Sequence, residues 1–243
     1  MNYIFDIDAN FRTGSSLPSI EEHYSSIWKI AKFLEKLGFP LANWFPPADT
    51  AENSLLNAAF TETGPSAAAL AMAKADKENQ ATDLRTLGVW NGTEKDGAMA
   101  YTATYNTGHF PSSLNFSSKN IQQFSDFRNV VKLVEAIVRI WKPMVVQIAP
   151  GGYLVQSVFP DRPGAGWMLY LPFNIKSQQV PEAAQVIEVM DDTGKKQLGT
   201  LLVSVEETFD VQNDAHIKKA NAIETRLVDQ DLLPTNSQFL ERF

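Results

Sequence analysis

The spacing of apolar residues changes several times along the chain, and each spacing predicts one type of element. Tyr3, Phe5 and Ile7 occupy every second position and so fall on one face, which predicts a strand over residues 1–8. Between residues 20 and 37 the apolar positions recur at intervals of three and four, which predicts an amphipathic helix. The chain therefore begins with a strand that is followed by a helix.

Apolar stripes and capping residues predict five helices, of which the helix over residues 20–37 is the first. Ser, Thr, Asp and Asn are favoured before the first helical turn, because their side chains accept hydrogen bonds from its free N–H groups. The predicted caps are Ser19, Asp49 or Thr50, Ser66, Ser125 or Asp126, and Asn213 or Asp214, and the predicted spans are 20–37, 50–60, 66–75, 126–141 and 214–233.

Alternating runs rich in β-branched and aromatic residues predict strands, and turn residues between the runs predict hairpins. Asn91-Gly92 and Asp96-Gly97 lie between two such runs, Pro150-Gly151-Gly152 between the next two, and residues 191–194 between the last two. The predicted pairs are 87–90 with 98–105, 145–148 with 153–159 and 186–190 with 198–205, with one further strand over 113–116.

The stretch Phe159 to Pro172 combines a turn with a strand. Its prolines and glycines mark a tight turn, and Asp161 and Arg162 at the tip have side chains that can hydrogen-bond to turn backbone. Residues 167–171 that follow are almost entirely apolar. A strand of this composition is covered on both faces, so it is predicted to lie inside a sheet.

Helices precede, interrupt and follow hairpin-rich strands, without steady alternation of strand and helix. This order predicts the α+β class, with mainly antiparallel sheet packed by amphipathic helices. The length of 243 residues suits one domain over residues 1–243, or two lobes with a soft boundary near 110–122.

Charge and composition exclude several functions. The 28 acidic against 21 basic residues give a net charge of -7, which repels phosphate backbones and disfavours nucleic acid as a partner. The absence of cysteine excludes disulfides, thiolate catalysis and cysteine-ligated metals. The N-terminus has no signal-peptide pattern and no stretch approaches the ~20 apolar residues that span a bilayer, so we expect a soluble, cytoplasmic protein with no membrane contact.

No catalytic, cofactor or metal site is predicted. His23, His109 and His216 share no metal-ligand spacing, and His23 and His216 are interpreted as solvated side chains near helix starts. The glycine clusters lack the residues that complete a phosphate-binding loop, and no G-x-S-x-G elbow occurs.

Pro160-Asp161 resembles the first half of the metal-binding motif of restriction-type nucleases. The second half needs an acid two residues before a lysine, so that both side chains reach one metal site. None of the fourteen lysines has such an acid. The nuclease interpretation is therefore rejected.

Acidic clusters are the remaining candidates for function. Most such clusters are solvated loops or helix ends, and some are paired carboxylates of hydrolases. A third interpretation is a surface that attracts a basic partner protein. The candidate partner-binding residues are Asp161, Arg162, Glu206, Glu207, Asp210, Asp229 and Asp231.

Several stretches resemble the immunity protein 52 family of bacterial polymorphic toxin systems. The resemblance is densest between residues 159 and 234 and extends weakly upstream. The residues that carry it are Phe159 to Pro172, Gln179 to Ala184, Gly199 to Val205 with Phe209, Ala220 to Pro234, Trp44-Phe45, Asp49 to Glu52 and Leu87 to Gly92.

The resemblance implies a non-enzymatic antitoxin that binds a cognate toxin with a restriction-endonuclease-like nuclease domain, often delivered by type VI secretion. Inhibition can then occur by filling the DNA groove of the toxin, or by binding elsewhere and blocking its assembly or motion. Two alternatives stay open: a carboxylate-dependent hydrolase that uses Glu206, Glu207 or Asp161, and a scaffold protein that binds copies of itself.

Overall fold

A computed structural model describes residues 4–76, 79 and 81–242. These residues form six α-helices and ten strands. Tyr3, the first residue of the predicted alternation, lies outside them. In chain order the elements are β1 Ile4–Phe11, α1 Ile20–Glu35, α2 Ala51–Ser54, β2 Phe60–Thr61, β3 Gly64–Pro65, α3 Ala67–Ala75, β4 Leu84–Trp90, β5 Met99–Asn106, β6 Ser112–Lys119, α4 Phe127–Trp141, β7 Val145–Ala149, β8 Met168–Leu171, β9 Gln185–Met190, β10 Gln197–Val203, α5 Asp214–Asp229 and α6 Asn236–Arg242.

Eight strands form an antiparallel sheet in the order β4-β5-β6-β1-β7-β8-β10-β9, and β2 pairs with β3 separately. The predicted α+β class with mainly antiparallel strands is therefore confirmed. The hairpins β4–β5 and β9–β10 also agree with the sequence prediction.

The contacts divide the chain into two compact units. Among the described residues, the first unit contains 4–11 and 124–242, and the second contains 12–123. The boundary near 110–122 that the sequence suggests stays a prediction.

In the second unit, α1 packs on β4 and β5. A capping box begins α1: the Ser19 hydroxyl accepts from the Glu22 N–H at 3.1 Å, and the Glu22 carboxylate accepts from the Ser19 N–H at 2.8 Å. The interpretation of His23 as solvated is wrong. His23 is fully buried against β5, where its Nε2 lies 2.9 Å from the Ala103 carbonyl oxygen.

In the first unit, β8 lies between β7 and β10, and all four of its residues are buried. This confirms the interior position predicted from its continuous apolar run. Trp167, just before β8, is also fully buried and packs edge-on against Phe5, with ring centroids 5.6 Å apart. Its indole N–H donates to the Val205 carbonyl at 3.0 Å. The aromatic side chains thus anchor β8 to the rest of this unit.

Three sequence predictions are wrong in their detail. The predicted second strand over 153–159 is instead a 3-10 turn at Tyr153–Gln156, and β7 pairs with β1 and β8 rather than with that segment. The helix after Thr50 ends at Ser54 rather than at Phe60. The helix α5 ends at Asp229, four residues earlier than predicted.

None of the helices in the described part of the chain combines the length and apolar character that crossing a bilayer requires.

Candidate partner-binding surface

A buried carboxylate lies in the first unit, on the inward face of α5. Glu224 is only 1% exposed. Its Oε1 accepts hydrogen bonds from the Tyr153 hydroxyl at 2.6 Å and the Ala165 N–H at 2.8 Å, and its Oε2 accepts from the Val158 N–H at 2.8 Å. Because burial of an unbonded carboxylate is costly, these three uncharged donors stabilise it in place. Glu224 thereby connects α5 to two surrounding loops.

Tyr153 is the centre of the first of these loops. Burial, together with the neighbouring carboxylate of Glu224, raises the pKa of its phenol above the ordinary value, so the hydroxyl stays a donor. Gly152 precedes it with a φ of +90°, a conformation that suits glycine. Gly164 faces its ring so closely that an added Cβ would lie 2.9 Å from Tyr153 Cε1. The turn glycine Gly164 therefore has a packing role.

Residues 153–158, here called the apolar segment, present large apolar side chains to solvent. Leu154 is 65% exposed, Val155 is 88% exposed and Val158 is 42% exposed. The Ser157 hydroxyl donates to the Leu154 carbonyl at 2.8 Å, which helps to fix the backbone of the segment. Three of the eight exposed large apolar residues in the described chain fall within these six residues. They form a local patch rather than scattered exposure.

Residues 206–214, here called the acidic loop, run from the end of the sheet to the first turn of α5. The loop contains four acidic residues and no basic one. Three of the four were predicted as partner-binding, and all four are exposed. The four acids are Glu206, Glu207, Asp210 and Asp214.

His216 fixes the acidic loop to α5. The interpretation of His216 as solvated is wrong, since it is 6% exposed. Its Nδ1 accepts from the backbone N–H of Asp210 at 3.0 Å, so the ring proton is on Nε2. That nitrogen lies 3.2 Å from Glu207 Oε1 and donates to it. The imidazole thus holds the loop at two positions and orients the Glu207 carboxylate.

The apolar segment and the acidic loop are in direct contact. Gln156 Nε2 donates to the Val211 carbonyl at 3.3 Å. The buried ring of Tyr153 packs edge-on against Phe209, with centroids 5.5 Å apart. The two segments therefore form one continuous surface with an apolar part and an acidic part.

Asp161 and Arg162 occupy a different position, on the turn before β8. The Asp161 carbonyl accepts from the Asn236 N–H at 2.8 Å. The Arg162 Nη1 donates to the Leu233 carbonyl, and its guanidinium lies 6.0 Å from the centre of the Phe159 ring. These contacts attach the turn to the chain that follows α5.

The remaining predicted acids divide between the two ends of α5. Glu207 and Asp210 precede this helix, whereas Asp229 is its last residue and Asp231 follows it with a φ of +55°. A helix of 16 residues is about 24 Å long. The structure therefore brings Glu207 and Asp210 together and places Asp229 and Asp231 far along the helix from them.

The contacts also bear on the hydrolase hypothesis. Glu206 accepts from the side chain of Gln185, Glu207 faces His216, and Asp161 is exposed on its turn. The contacts of these three acids lie on different segments rather than around one substrate. Within residues 4–76, 79 and 81–242, no three His, Asp or Glu side chains are grouped as ligands for a metal ion.

Sequence reasoning did not single out Glu224, Tyr153 or Val155. One signal for Glu224 was present in the sequence. Ala220 and Leu227, four residues before and three after it, are apolar, so Glu224 falls within the apolar stripe of α5. A carboxylate at such a position needs hydrogen-bond donors from elsewhere in the fold.

The first unit thus presents a preformed apolar and acidic surface of the kind found in proteins that bind other proteins. The chain belongs to the Immunity protein 52 family, whose family model matches residues 18–236. The family resemblance described from the sequence is thereby confirmed. No curated protein sequence matches the chain.

A solved structure of similar fold is described as the Pseudomonas aeruginosa T6SS protein PA0821. The TM-score is 0.53, with 14% sequence identity, and the match covers 91% of this chain and 73% of that chain. At this identity the likeness concerns the fold alone.

Proposed function

We propose that this protein is an immunity protein that binds and neutralises a cognate toxin by direct contact, without catalysis of its own, in the cytoplasm of the producing cell. The observation that carries the proposal is the family match over residues 18–236. The match spans both units of the chain, so both units belong to the proposed immunity domain.

The partner we propose is a toxin with a restriction-endonuclease-like nuclease domain, delivered by type VI secretion. Two observations support a nuclease. The stretches of resemblance to immunity protein 52 imply this class of toxin. The net charge of -7 on this chain also suits binding to a nuclease, because a nuclease acts on a polyanion and attracts negative charge. The secretion route is supported by the description of the Pseudomonas aeruginosa protein of similar fold.

Neutralisation without catalysis requires tight binding. An immunity protein of this kind inactivates its toxin only while the complex lasts, so the dissociation constant has to lie in the nanomolar range or below. Such complexes bury about 1,600 Å² in total. An interface of this size is larger than the apolar segment alone. It therefore also includes surrounding residues, and exposed acids can surround an apolar centre.

Co-expression tests the proposed function. The toxin encoded by the adjacent gene is induced in a sensitive bacterium with and without this protein, and growth is followed. We expect growth to be restored by the wild-type chain, and a tagged, catalytically inactive toxin to co-purify with it.

A matched negative control is an immunity protein of the same family from a different toxin gene pair. It is expected neither to rescue growth nor to co-purify. Failure of the wild-type chain in both assays would overturn the proposed function.

A further inference from the structure

We infer that the apolar segment and the acidic loop together form the surface that docks the toxin, with Val155 at its apolar centre. This inference rests on the proposed function and adds the place on the molecule where the toxin binds. It selects Glu206, Glu207 and Asp210 among the seven predicted residues and adds Leu154, Val155 and Val158.

Exposed apolar side chains mark the centre of this surface. Val155 is the most exposed large apolar residue in the described chain, at 88%, and Leu154 beside it is 65% exposed. Burying such side chains against a partner releases free energy in proportion to the apolar area removed from water. Adjacent exposed apolar residues, rimmed by polar ones, are the usual anatomy of an interface centre.

Buried hydrogen bonds hold the apolar segment in one conformation. Glu224 accepts from the Tyr153 hydroxyl and the Val158 N–H at the two ends of the segment. These buried hydrogen bonds fix the backbone before any partner arrives. A preformed loop loses less conformational entropy on binding than a flexible one, so more of the contact energy appears as affinity.

The charge of the acidic loop favours the toxin as the protein that occupies this surface. The acidic loop carries four acids without a base, touches the apolar segment through Gln156 and Val211, and has Glu207 held outward by His216. A nuclease domain has to attract phosphate, so its substrate-facing surface is basic. Charge complementarity therefore favours the toxin over a second copy of this acidic chain, which would be repelled.

The test uses Val155→Asp in the full chain, with Leu56→Asp as the matched control. Leu56 is 75% exposed and lies in the second unit, so both variants place a carboxylate at an exposed apolar position. Affinity for the inactive toxin from the adjacent gene is measured by calorimetry, and thermal unfolding is recorded for each variant. We expect Val155→Asp to weaken binding by at least about 30-fold with an unchanged melting temperature, and Leu56→Asp to bind like wild type.

The two levels of the proposal fail differently. If wild type binds and protects but Val155→Asp does so equally well, the docking surface is wrong and the immunity function stands. If Leu56→Asp weakens binding as much as Val155→Asp, the placement on the first unit is also wrong. If wild type neither binds the toxin nor restores growth, the proposed function itself is overturned.

Discussion

The Tyr153 hydroxyl and the Glu224 carboxylate form a 2.6 Å hydrogen bond between residues 71 positions apart. The same carboxylate accepts hydrogen bonds from the backbone N–H groups of Val158 and Ala165. One buried side chain on α5 thus determines the backbone of a loop whose neighbouring side chains are exposed.

Replacement of Glu224 by Gln keeps the shape of the side chain but turns one acceptor oxygen into a donor. At least one of the three hydrogen bonds is then lost, because the new amide NH2 group faces a donor that the carboxylate oxygen had accepted from. We expect the free energy of unfolding to fall by about 1–3 kcal/mol in urea titration. Glu94→Gln, an exposed acid of the second unit, serves as the control and is expected to change it by less than about 0.5 kcal/mol. Equal effects of the two variants would contradict the structural role of Glu224.

Replacement of Gly164 by Ala adds a methyl group against the Tyr153 ring. The added Cβ would lie 2.9 Å from Tyr153 Cε1 and 3.4 Å from Glu224 Oε1, and the buried ring has little room to move. We expect a loss of about 1–3 kcal/mol in the free energy of unfolding. Gly151→Ala is the matched control, because nothing lies within 4 Å of its added Cβ. Thermal unfolding of both variants is the measurement, and only the variant at Gly164 should melt at lower temperature.

Charge reversal at the two ends of α5 tests the docking surface independently of Val155. We expect Glu207→Lys to weaken toxin binding by about tenfold at low salt, and by less when the salt is raised to about 300 mM, since salt screens exposed charges. Asp229→Lys makes the same charge change at the far end of the helix and serves as the control. A stronger effect at Asp229 would place the toxin at the C-terminal end of α5 instead.

The buried histidine His23 gives a pH dependence of known sign. Burial, with a further contribution from the Arg85 charge, lowers the pKa of His23 to about 3, although its hydrogen bond to Ala103 opposes this. In the unfolded chain its pKa is about 6.5. As the pH falls below that value, the unfolded state takes up a proton that the folded state does not, so stability is lost between about pH 6.5 and pH 3.

His23→Gln removes this titration. Chemical unfolding from pH 7 down to about pH 4.5 is expected to show a steeper loss for wild type, by up to about 1.4 kcal/mol per pH unit. The comparison concerns the two slopes rather than the absolute stabilities, because the substitution also changes packing. Parallel slopes would show that His23 gains its proton as easily in the folded protein as in the unfolded chain.

The sequence predicted the elements that depend on local pattern. The stripe of α4 and its cap at Asp126 follow from spacing and capping chemistry, and β8 follows from a continuous apolar run. The same reasoning placed a strand over 153–159, because Tyr153 and Phe159 lie among other apolar residues. In that segment the N–H of Val158 donates to Glu224, which lies on α5, far along the chain. A local sequence pattern cannot predict such a contact.

The candidate surface was predictable in part. Glu207 and Asp210 were identified because acids cluster visibly in a sequence. Leu154 and Val155 were not, because exposure of an apolar side chain is decided by tertiary packing and cannot be read from its neighbours in the chain. The burial of His216 was missed for the same reason, since its partners in the acidic loop become apparent only in the fold.

The pairing of β1 with β7 has a consequence for protein synthesis. Asn10 pairs with Val145 and Asp6 with Ala149, so the partners are 135 and 143 residues apart along the chain. At about 5–20 residues per second, the ribosome needs roughly 5–20 seconds to proceed from the end of the second unit to Glu224. The docking surface is therefore completed late in translation. Until then Glu224 has not been synthesised, so the apolar segment lacks the hydrogen bonds that fix its backbone.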